Sequence, residues 1–144
     1  MFSILNTVVL HPLQFPNADR VAWAWGNFGS GLQAVHSSAV SVPDFQDYRL
    51  QNRSFQYFSA FYSDDPQDLS IAGHGEQVRG AMVSSDFFET LGVKSLLGRT
   101  FSLADEQVKF PESIVLSYGL WQREFGADSN VLGRTVGLNG GIQP

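Results

Sequence analysis

The three histidines are the first candidates for chemistry, because imidazole binds metal ions and transfers protons near neutral pH. They are His11, His36 and His74, and none lies within a few residues of another. A histidine-based metal site usually takes two ligands from one short segment, so this spacing favours surface histidines. Three carboxylates lie close together in Asp64–Asp68, but the other ligands of an EF-hand calcium loop do not follow them. That segment is therefore predicted to be a solvated turn.

Nucleophilic and cofactor chemistry also lack a pattern. No G-x-S-x-G sequence is present to put a serine nucleophile on a strand-to-helix turn. The glycines of GNFGSG and GHGEQVRG do not have the G-x-G-x-x-G spacing of a dinucleotide site. The absence of cysteine excludes disulfides, zinc–cysteine sites, iron–sulfur clusters and thiol catalysis. We therefore predict a protein that is not an enzyme, with no catalytic, cofactor-binding or metal-binding residue.

Two tryptophans, Trp23 and Trp25, alternate with small residues in Ala18–Gly29. Alternation with a period of two predicts a β-strand that ends at the glycines. Both rings then share one face of the strand, which favours packing toward the interior. The alternative is a stand-alone extracytoplasmic binding module, in which these surface aromatic rings stack on a sugar or a peptide.

The charge distribution argues against two classes of partner. The 144 residues include 9 basic and 14 acidic side chains, and the formal net charge is −5. The basic residues are isolated from one another, whereas nucleic-acid binding needs a Lys/Arg patch to neutralise phosphates. Adsorption to anionic lipid needs a similar cluster. We predict neither, and 43% apolar residues are enough for one folded domain.

The tetrapeptide Leu-Gly-Arg-Thr occurs twice, at Leu97–Thr100 and at Leu132–Thr135. A phosphate-binding loop would need a glycine-rich run in front of a helix, together with a lysine or its equivalent. Here the glycine precedes a segment that is predicted to be extended. We therefore interpret the tetrapeptide as part of a recurring supersecondary unit.

The arginine of each tetrapeptide needs a role under this interpretation. We predict that Arg99 and Arg134 are surface guanidinium groups paired with nearby carboxylates such as Asp105 or Glu106. The acidic segment Ala104–Glu106 is itself predicted to be a turn or the start of a helix.

The sequence before each tetrapeptide predicts the same order of elements. In the first unit a strand ends at Ser84, which caps a short helix that ends at Gly92. In the second unit a strand at Ile114–Leu116 precedes the cap Ser117 and a helix that ends at Gly126. Serine accepts hydrogen bonds from the free N–H groups of a helix start, and glycine adopts the left-handed conformation at its end. Apolar residues at helical spacing would lay each helix on a sheet: Phe87, Phe88 and Leu91, then Leu120, Trp121 and Phe125.

A helix, a strand and a hairpin are predicted before the first unit. Ser41 can cap a helix, because Asp44 follows it at capping-box spacing and Pro43 suits the first turn. The strand and the hairpin are then Tyr57–Ser63, followed by strands Leu69–Ala72 and Gln77–Val83 around a turn at residues 73–75.

Both ends of the chain suggest missing partners. Phe2–Leu10 is apolar but shorter than the roughly 20 residues of a membrane-spanning helix, and the prolines after it end any helix at about Leu10 or His11. It is either a buried segment or the last turns of a transmembrane helix. Thr135–Asn139 is predicted to be a strand that enters an Asn139–Gly140 hairpin turn. We expect its returning strand to lie outside the chain.

Four segments in series carry a resemblance to a known family: VSVPDFQDYRLQNRSF, VRGAMVSSDFFETLGVKSLLGRTF, IVLSYGLWQREFG and VLGRTVGLNG. Together they resemble the MacB-like periplasmic core domain of bacterial ABC-transporter permeases, most closely the subgroup of large, duplicated orphan permeases. The segment FSILNTVVLHPLQFPNADRV is similar to the exit of that family's first transmembrane helix into the periplasm.

The resemblance implies an α/β (α+β) fold, in which short helices pack on a mixed β-sheet built from repeated strand–helix–strand units. It implies that residues 1–15 are the remnant of a transmembrane helix end with a linker, and that residues 16–144 are part of the periplasmic core domain. The implied location is the periplasmic side of the inner membrane, with membrane association through flanking helices outside the chain.

The resemblance also implies a function. The domain is expected to be non-catalytic, to transmit conformational change, and to contact substrate or adaptor proteins during export. The implied partners are the remainder of the permease with its transmembrane helices, a cytoplasmic ATPase subunit and a periplasmic adaptor. It implies no cofactor.

Overall fold

The computed structural model describes residues 15–24, 26–28, 35–37, 40–63, 66–71, 73–107 and 113–143, and only the backbone at 26–28, 35–37 and 141–143. The helices are α1 Val42–Gln51, α2 Phe87–Leu91, α3 Leu103–Glu106 and α4 Tyr118–Phe125, with a 3₁₀ turn at Ser129–Val131. The strands are β1 Gly26–Phe28, β2 Val35–Ser37, β3 Phe61–Tyr62, β4 Gln67–Ile71, β5 His74–Val78, β6 Met82–Val83, β7 Val136–Leu138 and β8 Gly141–Gln143. This combination confirms the predicted α+β class.

The main sheet has the strand order β5-β4-β7-β8, and β1–β2 and β3–β6 form separate two-stranded ribbons. Every pairing among the described strands is antiparallel. Leu69 lies in the central strand β4, opposite Glu76 of β5 and Leu138 of β7. Leu69 and Val136 are the fully buried apolar side chains of the described residues. The interior of this part of the chain is therefore small.

The start of α1 confirms the capping prediction. The Ser41 hydroxyl accepts the N–H of Asp44 at 3.2 Å, and Pro43 occupies the first turn. The helix ends at Gln51, because Asn52 leaves the helical conformation and its side-chain oxygen accepts the N–H of Phe55 at 2.9 Å. The side chain thus builds a local turn that competes with another helical turn.

The glycine stops of α2 and α4 are also confirmed. Gly92 has φ 72° and Gly126 has φ 58°, and both are left-handed. The cap Ser117 accepts the N–H of Leu120 at 3.3 Å. The predicted cap Ser84 is wrong, because α2 begins at Phe87 and its N-cap residue is Asp86. Its hydroxyl accepts the N–H of Ala60, and its own N–H donates to the Ala60 carbonyl, so Ser84 extends the pairing of β3 with β6.

The recurring unit is not confirmed beyond its helix and glycine. Ile114–Leu116 does not form a strand. The first Gly-Arg-Thr leads into α3, which Ser102 and Asp105 begin with a capping box. The second leads into β7. The capping box of Ser102 and Asp105 therefore starts a helix where the repeat predicted an extended segment. Residues 104–106 are helical, which agrees with one of the two alternatives predicted for them, a turn or the start of a helix.

The predicted hairpin exists, but its turn is shorter and its second strand is divided. Ile71 is opposite His74, so His74 and Gly75, which were predicted to lie in the turn, belong to the second strand. The second strand stops at Val78, and the chain changes partner around Gly80. Met82 then pairs with β3 instead of β4. The continuous strand predicted over residues 77–83 is therefore wrong.

Two other strand predictions hold only in part. Residues 16–20 form a turn, and Trp23 lies outside any strand. Among the described residues of that region only β1 forms a strand, and it pairs with β2. Of the predicted strand Tyr57–Ser63, only Phe61–Tyr62 is a strand.

The hairpin at the end of the chain is complete, so the expectation of an absent returning strand is wrong. Asn139 and Gly140 have φ 49° and 80°, the conformation of a two-residue hairpin turn. The chain then returns as β8, with Gln143 opposite Val136. Three residues are enough to return the chain. The prediction for Phe2–Leu10 lies outside the described residues, and no helix within them is both long and apolar enough to span a membrane.

Candidate functional site

A cluster of charged side chains joins three helices, and we call it the Arg49 cluster: Arg49, Ser85, Asp86 and Glu106. Arg49 of α1 contacts Asp86 at the start of α2 at 2.9 Å and Glu106 of α3 at 2.9 Å. Its guanidinium also donates to the Ser85 hydroxyl at 3.2 Å. The three charged side chains are between 22% and 29% exposed. Solvent screening therefore weakens these pairs less than those of a fully exposed arginine.

The carboxyl of Glu106 is held in its charged form. Burial by itself raises the pKa of Glu106, but hydrogen bonds from the N–H and hydroxyl of Ser85 and from Arg49 outweigh it, so the pKa lies below its ordinary value. A general acid or base near neutral pH needs a pKa shifted toward 7. The Arg49 cluster therefore has the properties of a joint between helices.

The first tetrapeptide arginine has the predicted partner. Both terminal nitrogens of Arg99 contact the Asp105 carboxylate, at 2.7 Å and 2.9 Å. Hydrogen bonds from Arg99 and then from Ser102 hold the pKa of Asp105 well below its usual range. The other predicted carboxylate, Glu106, belongs to the Arg49 cluster instead.

The second tetrapeptide arginine has a partner that the sequence did not suggest. Arg134 is paired with Asp128 and also donates through Nε to the Asn130 carbonyl at 3.1 Å. A hydrogen bond from the Asn130 N–H is the largest cause that lowers the pKa of Asp128, and Arg134 adds to it. Surface pairing is thus confirmed for both arginines, but with a different carboxylate for Arg134.

The two tetrapeptides contact each other and both line an apolar groove, which we call the LGRT groove. It has a volume of about 430 Å³. A Cβ atom at Gly98 would lie 2.8 Å from Cδ2 of Leu132, so the second copy packs directly on the first. Leu96, Leu97 and Trp121 line the groove, as do Arg99 and Arg134, each bound to its own aspartate. The groove shows an apolar contact between the two copies and no paired acid and base.

The aromatic side chains form a row that begins at the surface. Trp23 meets Phe61 edge to face at 5.0 Å between ring centroids, and the contacts continue to Phe87 and Phe88. Trp23 is 56% exposed, so the predicted inward packing of its ring is wrong. Trp25 lies outside the described residues.

The remaining candidate residues are not brought together. His74 is exposed at the start of β5, the backbone of His36 lies in β2, and His11 is outside the described residues. Within the part that the structure describes, no three histidine or carboxylate side chains are placed to hold a metal ion. Asp68 lies in β4, and Asp64 and Asp65 fall outside the described residues.

Sequence reasoning missed a contact between the start of the described chain and α2. The Asn17 side chain donates to the carbonyl of Thr90 at 3.2 Å, and its backbone N–H donates to that of Leu91 at 3.3 Å. It also missed the Arg49 cluster. No local signal marks either contact, because Arg49 lies 36 to 57 residues from its partners and Asn17 lies 72 to 74 residues from its own.

Comparison with known proteins agrees with the resemblance carried by the four segments. No curated protein and no solved structure matches the chain. The family model of the MacB-like periplasmic core domain matches residues 1–144 of the chain, which are all of the residues in its sequence. The chain therefore belongs to the MacB-like periplasmic core domain family.

Proposed function

We propose that this domain does no chemistry and that it transmits conformational change between the membrane helices of its permease and the proteins outside the membrane. As a member of its family, it is an extracytoplasmic domain of an ABC-transporter permease. In the proposal a cytoplasmic ATPase subunit drives the membrane helices, and the domain moves with them. The subgroup of large, duplicated orphan permeases and the inner membrane as its location are parts of the same proposal.

The Arg49 cluster is the observation that carries the proposal. It connects α1, α2 and α3 through one guanidinium, although these helices come from distant parts of the sequence. Helices joined in this way move together when one of them is displaced. A domain that transmits movement needs connections between its elements, and in the part of this chain that the structure describes few buried apolar side chains supply them.

Exposed apolar side chains support the proposed contact with substrate or adaptor proteins. Leu50 of α1 is 81% exposed, and Leu96 and Leu132, which both line the LGRT groove, are 73% and 59% exposed. Large apolar side chains on a surface are typical of protein contact sites when they occur in groups. A periplasmic adaptor is therefore a proposed partner, together with the remainder of the permease.

The division of the chain is also a proposal. Residues 1–15 would be the end of a transmembrane helix with a linker, and residues 16–144 would be part of the periplasmic core domain. The contact of Asn17 with α2 supports this division, because it fixes the chain directly after the proposed linker.

The location can be tested by cysteine labelling, since the chain has no cysteine of its own. Gln46→Cys on the exposed side of α1 is introduced into the full-length permease, with all other cysteines removed. A membrane-impermeant maleimide is added to cells whose outer membrane has been made permeable. We expect labelling before the inner membrane is broken. Labelling that requires cell lysis would refute the extracytoplasmic location.

The transmission of movement is tested in the complete transporter with spin labels. One label is placed at Gln46→Cys and the other at the outer end of a membrane helix. We expect the distance between them to change when ATP is bound and trapped. A control pair within the domain, at Gln46 and Ser129, should keep its distance. An unchanged distance between domain and membrane helix would refute the proposal.

One observation favours a second function, the binding of sugar or peptide. Trp23 is more than half exposed and rests edge to face on Phe61, an arrangement that can present the face of the indole ring to a ligand. A ligand that binds only the folded state raises its thermal stability. A saturable rise that is lost in Trp23→Ala would support this second function.

A further inference from the structure

We propose that Asn17 attaches the chain entering the domain to α2, and that movement enters the Arg49 cluster at this attachment. We call the contact the Asn17 latch: Asn17 with Glu89, Thr90, Leu91 and Gly92. This inference rests on the proposed function, because it names the residue through which the transmitted movement passes. The latch itself can be tested independently of that function.

The latch supplies donors to the carbonyls of Thr90 and Leu91 at the end of α2, and a second donor to that of Glu89, which also accepts the N–H of Gly92. The Asn17 amide nitrogen lies 3.2 Å from the Thr90 carbonyl oxygen and 3.5 Å from that of Glu89. The backbone N–H of Asn17 donates to the carbonyl of Leu91 at 3.3 Å. The last carbonyls of a helix have no partner within the helix. Asn17 therefore binds the backbone at the C-terminal end of α2.

Gly92 shows how closely the latch fits. A Cβ atom there would lie 2.8 Å from the Asn17 amide nitrogen and 2.9 Å from its Cγ. Glycine is thus needed at position 92 because φ is 72° there and because a side chain would collide with Asn17. Gly126 ends α4 with a φ of 58°, but a Cβ atom there would meet nothing within 4 Å. The chain therefore contains a natural control for the latch glycine.

The other end of α2 lies in the Arg49 cluster. Asp86 precedes the helix and contacts Arg49, and the Asp86 carbonyl accepts both the N–H and the hydroxyl of Thr90, at 2.9 Å and 2.8 Å. Five residues of α-helix span only about 8 Å. Thr90 thus contacts Asn17 on one side and Asp86 on the other. A displacement of Asn17 is therefore carried across α2 to Arg49 and to α1.

The test uses the complete transporter with three variants: Asn17→Ala, Asn17→Asp and the control Gly126→Ala. The first measurement is hydrogen exchange of the amides at the end of α2. The second is the change in distance between Gln46 and a membrane helix when ATP is trapped. Exchange in β4 serves as the check that each variant is folded.

The aspartate variant separates hydrogen bonding from packing. Asp has the shape of Asn, but it cannot donate, and its negative charge lies next to the negative end of the helix dipole. We expect both Asn17 variants to raise exchange at the end of α2 by about tenfold, with Asp at least as severe as Ala. Both should reduce the ATP-dependent distance change, and Gly126→Ala should leave it intact.

The outcomes distinguish the latch from the proposed function. If the unaltered transporter shows no ATP-dependent change, the proposed function fails and the transmitting role of Asn17 fails with it. If it shows the change and Asn17→Ala preserves it fully, only the latch is refuted. If Asn17→Asp behaves like the unaltered protein, the hydrogen bonds are not the basis of the contact, and the inference is overturned.

Discussion

Replacing Arg49 by methionine tests whether the Arg49 cluster holds the helices together. Arg49→Met keeps most of the apolar length of the side chain but leaves Asp86 and Glu106 without their cation. Breaking an exposed ion pair costs up to about 1 kcal/mol, and removing one partner of a buried pair costs about 3–5 kcal/mol. The cluster is between 22% and 29% exposed, so we expect the free energy of unfolding to fall by about 2 kcal/mol.

Arg99→Met is the matched control. Arg99 also holds a carboxylate with both terminal nitrogens, but its side chain is 64% exposed. Water replaces such a pair easily, so Arg99→Met should lower the free energy of unfolding clearly less than Arg49→Met does. Unfolding in urea, followed by tryptophan fluorescence, measures both. Equal losses in the two variants would refute the argument that burial makes the Arg49 cluster important.

The dependence on pH gives the same prediction a second check. The pKa of Glu106 is lower in the folded state than its ordinary value of 4.5, so its contribution to stability is present above that value. It is lost as the pH falls through the folded pKa. The difference between the unaltered chain and Arg49→Met should therefore be greatest near neutral pH and shrink in acid. A difference that stays constant into acid would contradict a role for the charged carboxylate.

Three further predictions concern other contacts. Gly98→Ala should lower the melting temperature more than Gly133→Ala, because φ is positive at both glycines but only the Cβ at Gly98 would collide with Leu132. When Leu132 is also replaced by alanine, the two substitutions should lower the melting temperature equally. Asn139→Ala should lower the free energy of unfolding in urea by about 1–2 kcal/mol, because the turn needs its positive φ and β4 needs its side-chain acceptor. Added glycans and peptides should change the melting temperature neither of the unaltered chain nor of Trp23→Ala. A rise in the unaltered chain that is absent from Trp23→Ala would contradict this prediction.

The ends of helices could be predicted from sequence because caps are local. Ser41 and Ser117 accept N–H groups three residues ahead, and Gly92 and Gly126 supply the left-handed stop. Each of these interactions is complete within a few residues. The distant partners of the chain therefore do not change them.

The strands were predicted less well because a strand depends on its partner. Ser84 had the sequence context of a helix cap, yet its hydroxyl accepts the N–H of Ala60, which lies 24 positions away in the sequence. Ile114–Leu116 has the composition of a strand but does not form one. In the same way, Arg49 and Asn17 gave no local signal, since their partners come from distant segments of the chain.

The described part of the chain buries few apolar side chains, so other contacts must help to hold its elements in place. Among the described residues, Leu69 and Val136 are buried in the main sheet, whereas α1, α2 and α3 are joined by the ion pairs of Arg49. Joints of this kind fix where helices touch, while the apolar faces of α1 and α3 stay partly open through Val42, Leu50 and Leu103. That combination suits a part that must follow the movement of its neighbours. The same open faces would be a liability in a domain that acted alone, because exposed apolar surface promotes aggregation.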